Sequence, residues 1–169
     1  MLNLVRVVSL CLALAVATTG WTSDLPDPVL TPGRTNPDVT QDNIRQTICV
    51  RGYSKSIRPP AYFTNKLKHN QMREYGYTDT NPRDYEEDHL IALSIGGAPD
   101  DPKNLWPQPW HSEWNAEKKD QLEFVLFRMV CEREISLADA QQAMARNWIK
   151  AWKEHVPNHP SYRYKGGRD

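Results

Sequence analysis

No cysteine in this chain stands in a CxxC pair, and there are only three: Cys11, Cys49 and Cys131. That lack argues against a metal site built on thiolates. An excess of charge of either sign is missing too, since Lys plus Arg and Asp plus Glu both number 21. As an average, this argues against nucleic acid as a partner, because phosphate binding usually leaves a basic excess. There is no internal repeat, low-complexity tract, helix-turn-helix or zinc-finger reading head. The one apolar run, residues 7–17, is short for a spanning helix, and no basic stop-transfer cluster follows it. A length of 169 residues is too short for a TIM barrel or a two-domain dinucleotide enzyme. It suits a single domain with a real core.

What is present begins with an export signal. Residues 1–6 carry one positive charge, the apolar run follows, and small residues stand at Ala13, Ala15 and Ala17. This is the layout of a secretory signal peptide over residues 1–17. Its removal takes Cys11 away and leaves Cys49 and Cys131. In an exported protein that pair reads as a disulfide. It would close a loop of about 80 residues, worth roughly 4–5 kcal/mol in the chain-entropy model. The reading is a periplasmic or secreted monomer with no membrane contact after cleavage.

Residues 18–39 contain Pro26, Pro28, Pro32 and Pro37 and read as an extended leader. Helix signals start near Thr40, with Ile44 and Ile48 four apart. Arg58-Pro59-Pro60 breaks the chain, and Thr64 can cap a helix to about Tyr75, stopped by Gly76. A strand from Tyr85 enters Leu90, Ile91 and Leu93; Gly96-Gly97, Pro99 and Pro102 mark a loop. Asn104, Leu105 and Trp106 return as a second strand, ended by Pro107 and Pro109. Ser112 can cap a helix to about Arg133 with Leu122, Val125, Leu126, Met129 and Val130 on one face. Ser136 with Asp139 starts a last helix whose face is Leu137, Ala140, Met144, Trp148 and Trp152. The tryptophans, with Trp106, Trp110 and Trp114, read as core and helix-staple residues. His69, His155 and His159 read as surface. The predicted fold class is α+β, mainly helical, with a small hairpin-helix core and one disulfide. The domain spans residues 40–156 and a flexible tail residues 157–169.

Residues 86–120 carry the chemistry. Asp88 and His89 adjoin just before an apolar segment. A carboxylate can hold a hard divalent cation, and a neutral imidazole can take a proton from water. Strand neighbours face opposite sides, so both serve one site only at a strand end or on irregular backbone. Downstream come the Gly96-Gly97 loop, then Asn104, whose amide can bond loop backbone. Asn115 and Lys118 follow at the start of a helix.

This pattern resembles the HNH endonuclease family: a DH pair, a glycine-containing loop, an Asn, then His or Asn followed three residues later by Lys. The resemblance covers residues 86–118, and the flanking segments resemble a group of exported bacterial proteins with this module. It implies a β-hairpin packed on a helix around one divalent metal, the ββα-metal module. By resemblance His89 is the general base, Asp88 a metal ligand, and Asn104 the residue that orders the loop and places His89. Asn115 is the third-motif ligand, Lys118 the trailing lysine, and Glu86 an acidic partner behind the ligands. The stretch between Asn104 and Asn115 is longer than in compact members. His111, four residues before Asn115, is therefore a second choice of ligand if the helix begins that early. The family's zinc-knuckle cysteines are absent, and the Cys49–Cys131 pair is a candidate substitute.

The implied activity is metal-dependent hydrolysis of phosphodiesters, in DNA before RNA, with little sequence specificity. Mg2+ suits the oxygen ligands Asp88 and Asn115; a His111 ligand would favour Mn2+, Ni2+ or Zn2+. Two rivals stand beside it. One is a non-catalytic cell-envelope binding module that keeps the scaffold. The other is a glycosidase using Glu86 or Glu87 as acid, which adjacent carboxylates rarely support. The zero net charge hides a segregated chain. Residues 43–73 hold Arg45, Arg51, Lys55, Arg58, Lys66, Lys68 and Arg73 and no acid, whereas residues 74–101 hold eight acids and only Arg83. Arg51, Lys55 and Arg58 are the candidate phosphate contacts of a basic groove beside an acidic metal site.

Overall fold

The computed structural model describes residues 24–162 and residue 164. The expected signal peptide, with Cys11 and the start of the leader, lies outside the described residues. Four helices and two strands follow in the order α1 (Tyr53–Ile57), α2 (Ala61–Glu74), β1 (Tyr85–His89), β2 (Leu105–Pro109), α3 (Ala116–Cys131) and α4 (Leu137–His155). The class is therefore α+β and mainly helical, with a two-stranded antiparallel sheet. Among the described residues no helix is long and apolar enough to cross a membrane.

Each helix starts where its sequence supplies a stop or a cap. Pro60 precedes α2 in extended backbone, and Gly76 ends it at φ +67°. The helix begins three residues earlier than Thr64, whose hydroxyl instead donates back to the Ala61 carbonyl. Asn115 caps α3, its Oδ1 accepting from the Lys118 N–H at 3.1 Å. Ser136 caps α4 by accepting from the Asp139 N–H at 3.1 Å. Inside α4, Asn147 leaves the helical region (φ −168°, ψ 90°), and its Oδ1 accepts from the Lys150 N–H at 2.8 Å. It thus re-caps the second half at a kink.

In the hairpin, Asp88 stands opposite Trp106 and His89 opposite Leu105. β1 ends at His89, so Leu90 to Leu93 belong to the connection and not to the strand. That connection closes tightly. A Cβ on Gly97 would stand 1.7 Å from the Ile91 carbonyl oxygen, so only glycine fits. α2 grips the hairpin through backbone carbonyls. Gln71 donates to those of Pro102 and Leu105 at 2.9 and 2.8 Å, and Lys68 to those of Pro82 and Tyr85 at 2.8 and 3.0 Å.

The core lies between α3, α4 and the Leu90–Ile95 connection. Trp106, Leu122, Leu126, Met144 and Trp148 are fully buried there. The Cys49–Cys131 disulfide, with Cα atoms 5.7 Å apart, ties the segment before α1 to the end of α3.

Three segments differ from the sequence reading. Residues 24–39 of the leader are extended but packed: Thr31, Asn36 and Val39 are buried, and Asn36 donates to the Gly96 carbonyl at 2.8 Å. The glycine loop offers unpaired backbone, and the leader pairs with it. Around Ile44 and Ile48 the chain makes a 3-10 turn (Gln41–Asn43) and further turns instead of a regular helix. In the tail, the Tyr162 hydroxyl lies 2.6 Å from a carboxylate oxygen of Glu132 and 2.6 Å from one of Glu134, sharing its one proton between them, and that of Tyr164 donates to Asp120 at 3.1 Å.

Candidate active site at the end of the hairpin

Asn104 sets the geometry of the site. It is fully buried at the entry to β2. Its Nδ2 donates to the carbonyls of Ile91 (3.0 Å) and Ala98 (2.9 Å), and its Oδ1 accepts from the N–H groups of Ile91 (3.0 Å) and Arg34 (3.2 Å). One amide thus ties both ends of the connection and the leader together, using its full bonding capacity.

The loop so fixed holds His89. The side chain is 4% exposed, and its Nε2 lies 2.9 Å from the Pro99 carbonyl oxygen. A carbonyl can only accept, so Nε2 carries the proton and Nδ1 keeps a lone pair. Burial pushes the imidazole pKa down to about 4, against the opposing pull of the Pro99 bond and of Asp88. The ring is therefore neutral at pH 7. It borders a cavity of about 800 Å3 between the hairpin and α2. Arg58, Thr64, Asn65, His69, Arg83 and Trp110 also line that cavity.

Asp88, next to last in β1, is held from α3. Its Oδ2 lies 2.6 Å from Lys119 Nζ on the first turn of α3. Lys119 is 1% exposed and also donates to Glu123 and to the main-chain carbonyl of His89 at 2.7 Å. Burial works against this ammonium, but Asp88 and Glu123 outweigh it and hold its pKa above the usual lysine value. The surrounding acids are raised, first by burial and then by one another. Glu86 is pushed up to about 7 by burial, Asp88 and Asp120, and Asp120 to about 6 by burial and Asp88. Glu123 rises to about 8, with Lys119 opposing.

On the α2 side of β1, both carboxyl oxygens of Glu87 are buried without a hydrogen-bond partner. Burial pushes this carboxyl up to about 9, against the attraction of Lys68.

The other residues singled out in the sequence lie apart. Because α3 starts at Ala116, His111 and Asn115 share no helix face. His111 is an exposed ring 3.7 Å from Asp84. Asn115 is engaged as the α3 cap, and Lys118 places its ammonium 4.4 Å from the centre of the Trp114 ring. Arg58 borders the cavity; Arg51 and Lys55 are exposed and do not. Among the described residues no three His, Cys, Asp or Glu side chains are arranged to hold a metal ion.

Lys119, Asp120 and Glu123 escaped the sequence reading, and Glu87 entered it only as the acid of the glycosidase rival. The Lys119–Glu123 spacing of four was a signal for an ion pair on one helix face. The run Lys118-Lys119-Asp120 reads as solvated surface, which hid the burial of its middle member. No family model, curated protein or solved structure matches this chain.

Proposed function

We propose that the chain is an exported, metal-dependent endonuclease of the HNH type, hydrolysing phosphodiester bonds of DNA, and by the same chemistry RNA, with low sequence specificity. The observation that carries this reading is the state of His89. It is a neutral imidazole, fixed through Nε2–H on the Pro99 carbonyl with Nδ1 unprotonated, and the residue borders a cavity that Arg58 and Arg83 also line. A fixed base beside cations is what an attacking water and a phosphate need.

Asp88, with Glu86 and Asp120 acting on it, offers hard oxygen donors of the kind a divalent ion takes, although the described side chains do not stand as a preformed three-ligand set. They do not enclose an ion, which suits Mg2+ or Mn2+, since Mg2+ keeps several waters and borrows substrate oxygens. His111, exposed beside Asp84, gives no reason to favour Ni2+ or Zn2+. When bound, the ion would supply positive charge for the scissile phosphate and leaving oxygen.

The chain's own groups do the rest. His89 Nδ1 takes the proton of the attacking water. Asn104 keeps the connection, and with it the Pro99 carbonyl, in place. Arg58 and Arg83 draw the phosphate backbone into the cavity, so binding is weak, nonspecific and salt-sensitive.

Digestion of plasmid DNA and of RNA by the oxidised protein, with Mg2+, Mn2+, Ni2+, Zn2+ or EDTA, tests the proposal. Cleavage with Mg2+ or Mn2+ that stops with EDTA is the expected result; none under any metal would sink it. The binding-module reading gains from the engagement of Asn115 as a helix cap and of Asp88 by Lys119. It predicts that binding survives Asp88→Ala and Asn115→Ala.

A further inference from the structure

Lys119 donates to a Glu123 carboxylate oxygen and to the main-chain carbonyl of His89, and its ammonium is ion-paired with Asp88 Oδ2 at 2.6 Å. At 1% exposure it is closed to a substrate, so it is not a group that touches the reacting atoms. It does touch both members of the Asp88-His89 pair, the first through its side chain and the second through its main chain.

We infer that Lys119 is the resident cation of this carboxylate cluster and the positioning residue of the site, and that a divalent ion reaches Asp88 only in competition with it. The inference rests on the reading of Asp88 as a ligand of a divalent ion. Lys119 pins the end of β1 to the first turn of α3 by a side-chain contact to one residue and a main-chain contact to the next. The same ammonium, 2.6 Å from Oδ2, repels a second cation arriving at that carboxylate. Glu123, one helical turn along, anchors the ammonium from behind. The site therefore holds its shape without metal and takes metal weakly.

Manganese binding by calorimetry on the oxidised full domain tests this without reading activity. Lys119→Met keeps an unbranched stem and removes the charge; Lys119→Arg keeps the charge. The expected result is Mn2+ affinity raised about tenfold or more in Lys119→Met, since removal of a close like charge is worth at least that factor. Lys119→Arg should stay near wild type. Unchanged or weaker Mn2+ binding in folded Lys119→Met overturns the inference, and so does absence of Mn2+ binding in both proteins. If Lys119→Met fails to fold, the wild type decides. The buried Lys119 ammonium should give a slowly exchanging 15N signal at neutral pH that shifts as Mg2+ is added. A signal indifferent to Mg2+ overturns the inference. Nuclease activity is a separate outcome. Tightened Mn2+ binding without cleavage retires the endonuclease and keeps the inference; metal-dependent cleavage with unchanged affinity does the reverse.

Discussion

Asn104 commits its whole side-chain amide to backbone, with two bonds donated and two accepted inside the core. Asn104→Ala leaves those partners unsatisfied, and urea denaturation should show a loss of about 3–4 kcal/mol. This role was legible in the sequence, because an Asn at the return of a glycine loop has backbone within reach. Glu87 was not legible. Nothing in Tyr85-Glu86-Glu87-Asp88 tells which carboxylate is sealed against α2. Its raised pKa, about 9, means the folded state binds a proton that the unfolded state releases near pH 4.5. The sign follows: this stabilising contribution is full below that unfolded value and is lost as pH rises through about 9. In metal-free protein, Glu87→Gln should flatten the fall in stability between about pH 4.5 and 9 and exceed wild type by several kcal/mol near pH 9. Parallel pH profiles of the two proteins would contradict the assignment.

Among the elements, the start of α3 separates two readings of Asn115. As a helix cap, Asn115→Asp leaves stability unchanged and Asn115→Ala costs about 1 kcal/mol. If Asn115 is also a metal ligand, Asn115→Ala lowers cleavage far beyond that loss while Asn115→Asp retains it. Thermal melts beside cleavage rates distinguish the two. The apolar faces of α3 and α4 were readable from their periodicity. Leu122, Val125, Leu126, Met144 and Trp148 are buried as that pattern requires. The start of α3 at Ala116 and not after Ser112, and the kink at Asn147, were not readable. Both turn on which of several capping side chains meets a free backbone N–H, which tertiary packing decides. The buried Lys119 was hidden for a related reason: its partners Asp88 and His89 lie on a strand some thirty residues away.

At the scale of the whole molecule, an apolar helical core carries a hairpin held by two helices. α3 grips its end through the Lys119 cluster, and α2 forms with it a cavity bordered by Glu86, Glu87 and His89. The disulfide braces this arrangement across 82 residues of sequence. Its reduction, or replacement of both cysteines by alanine, should lower stability by about 4–5 kcal/mol with the fold retained at low temperature. A loss below about 1 kcal/mol would mean that packing alone holds the ends together. The disulfide could be read from the two cysteines that remain if residues 1–17 are an export signal, and its presence suits an oxidising compartment. The segregated charge was equally visible in the sequence, but not that Arg58 would border the cavity while Arg51 and Lys55 would not. That depended on the Pro59-Pro60 break turning α2 onto the hairpin.

The central claim is that His89 is the base of a metal-dependent phosphodiesterase. The most direct measurement is the rate of supercoiled plasmid cleavage in Mg2+ or Mn2+ by wild type and by His89→Ala of verified fold. The account predicts EDTA-sensitive cleavage by wild type, slowed about 100-fold or more in His89→Ala. Cleavage by His89→Ala at the wild-type rate would contradict it.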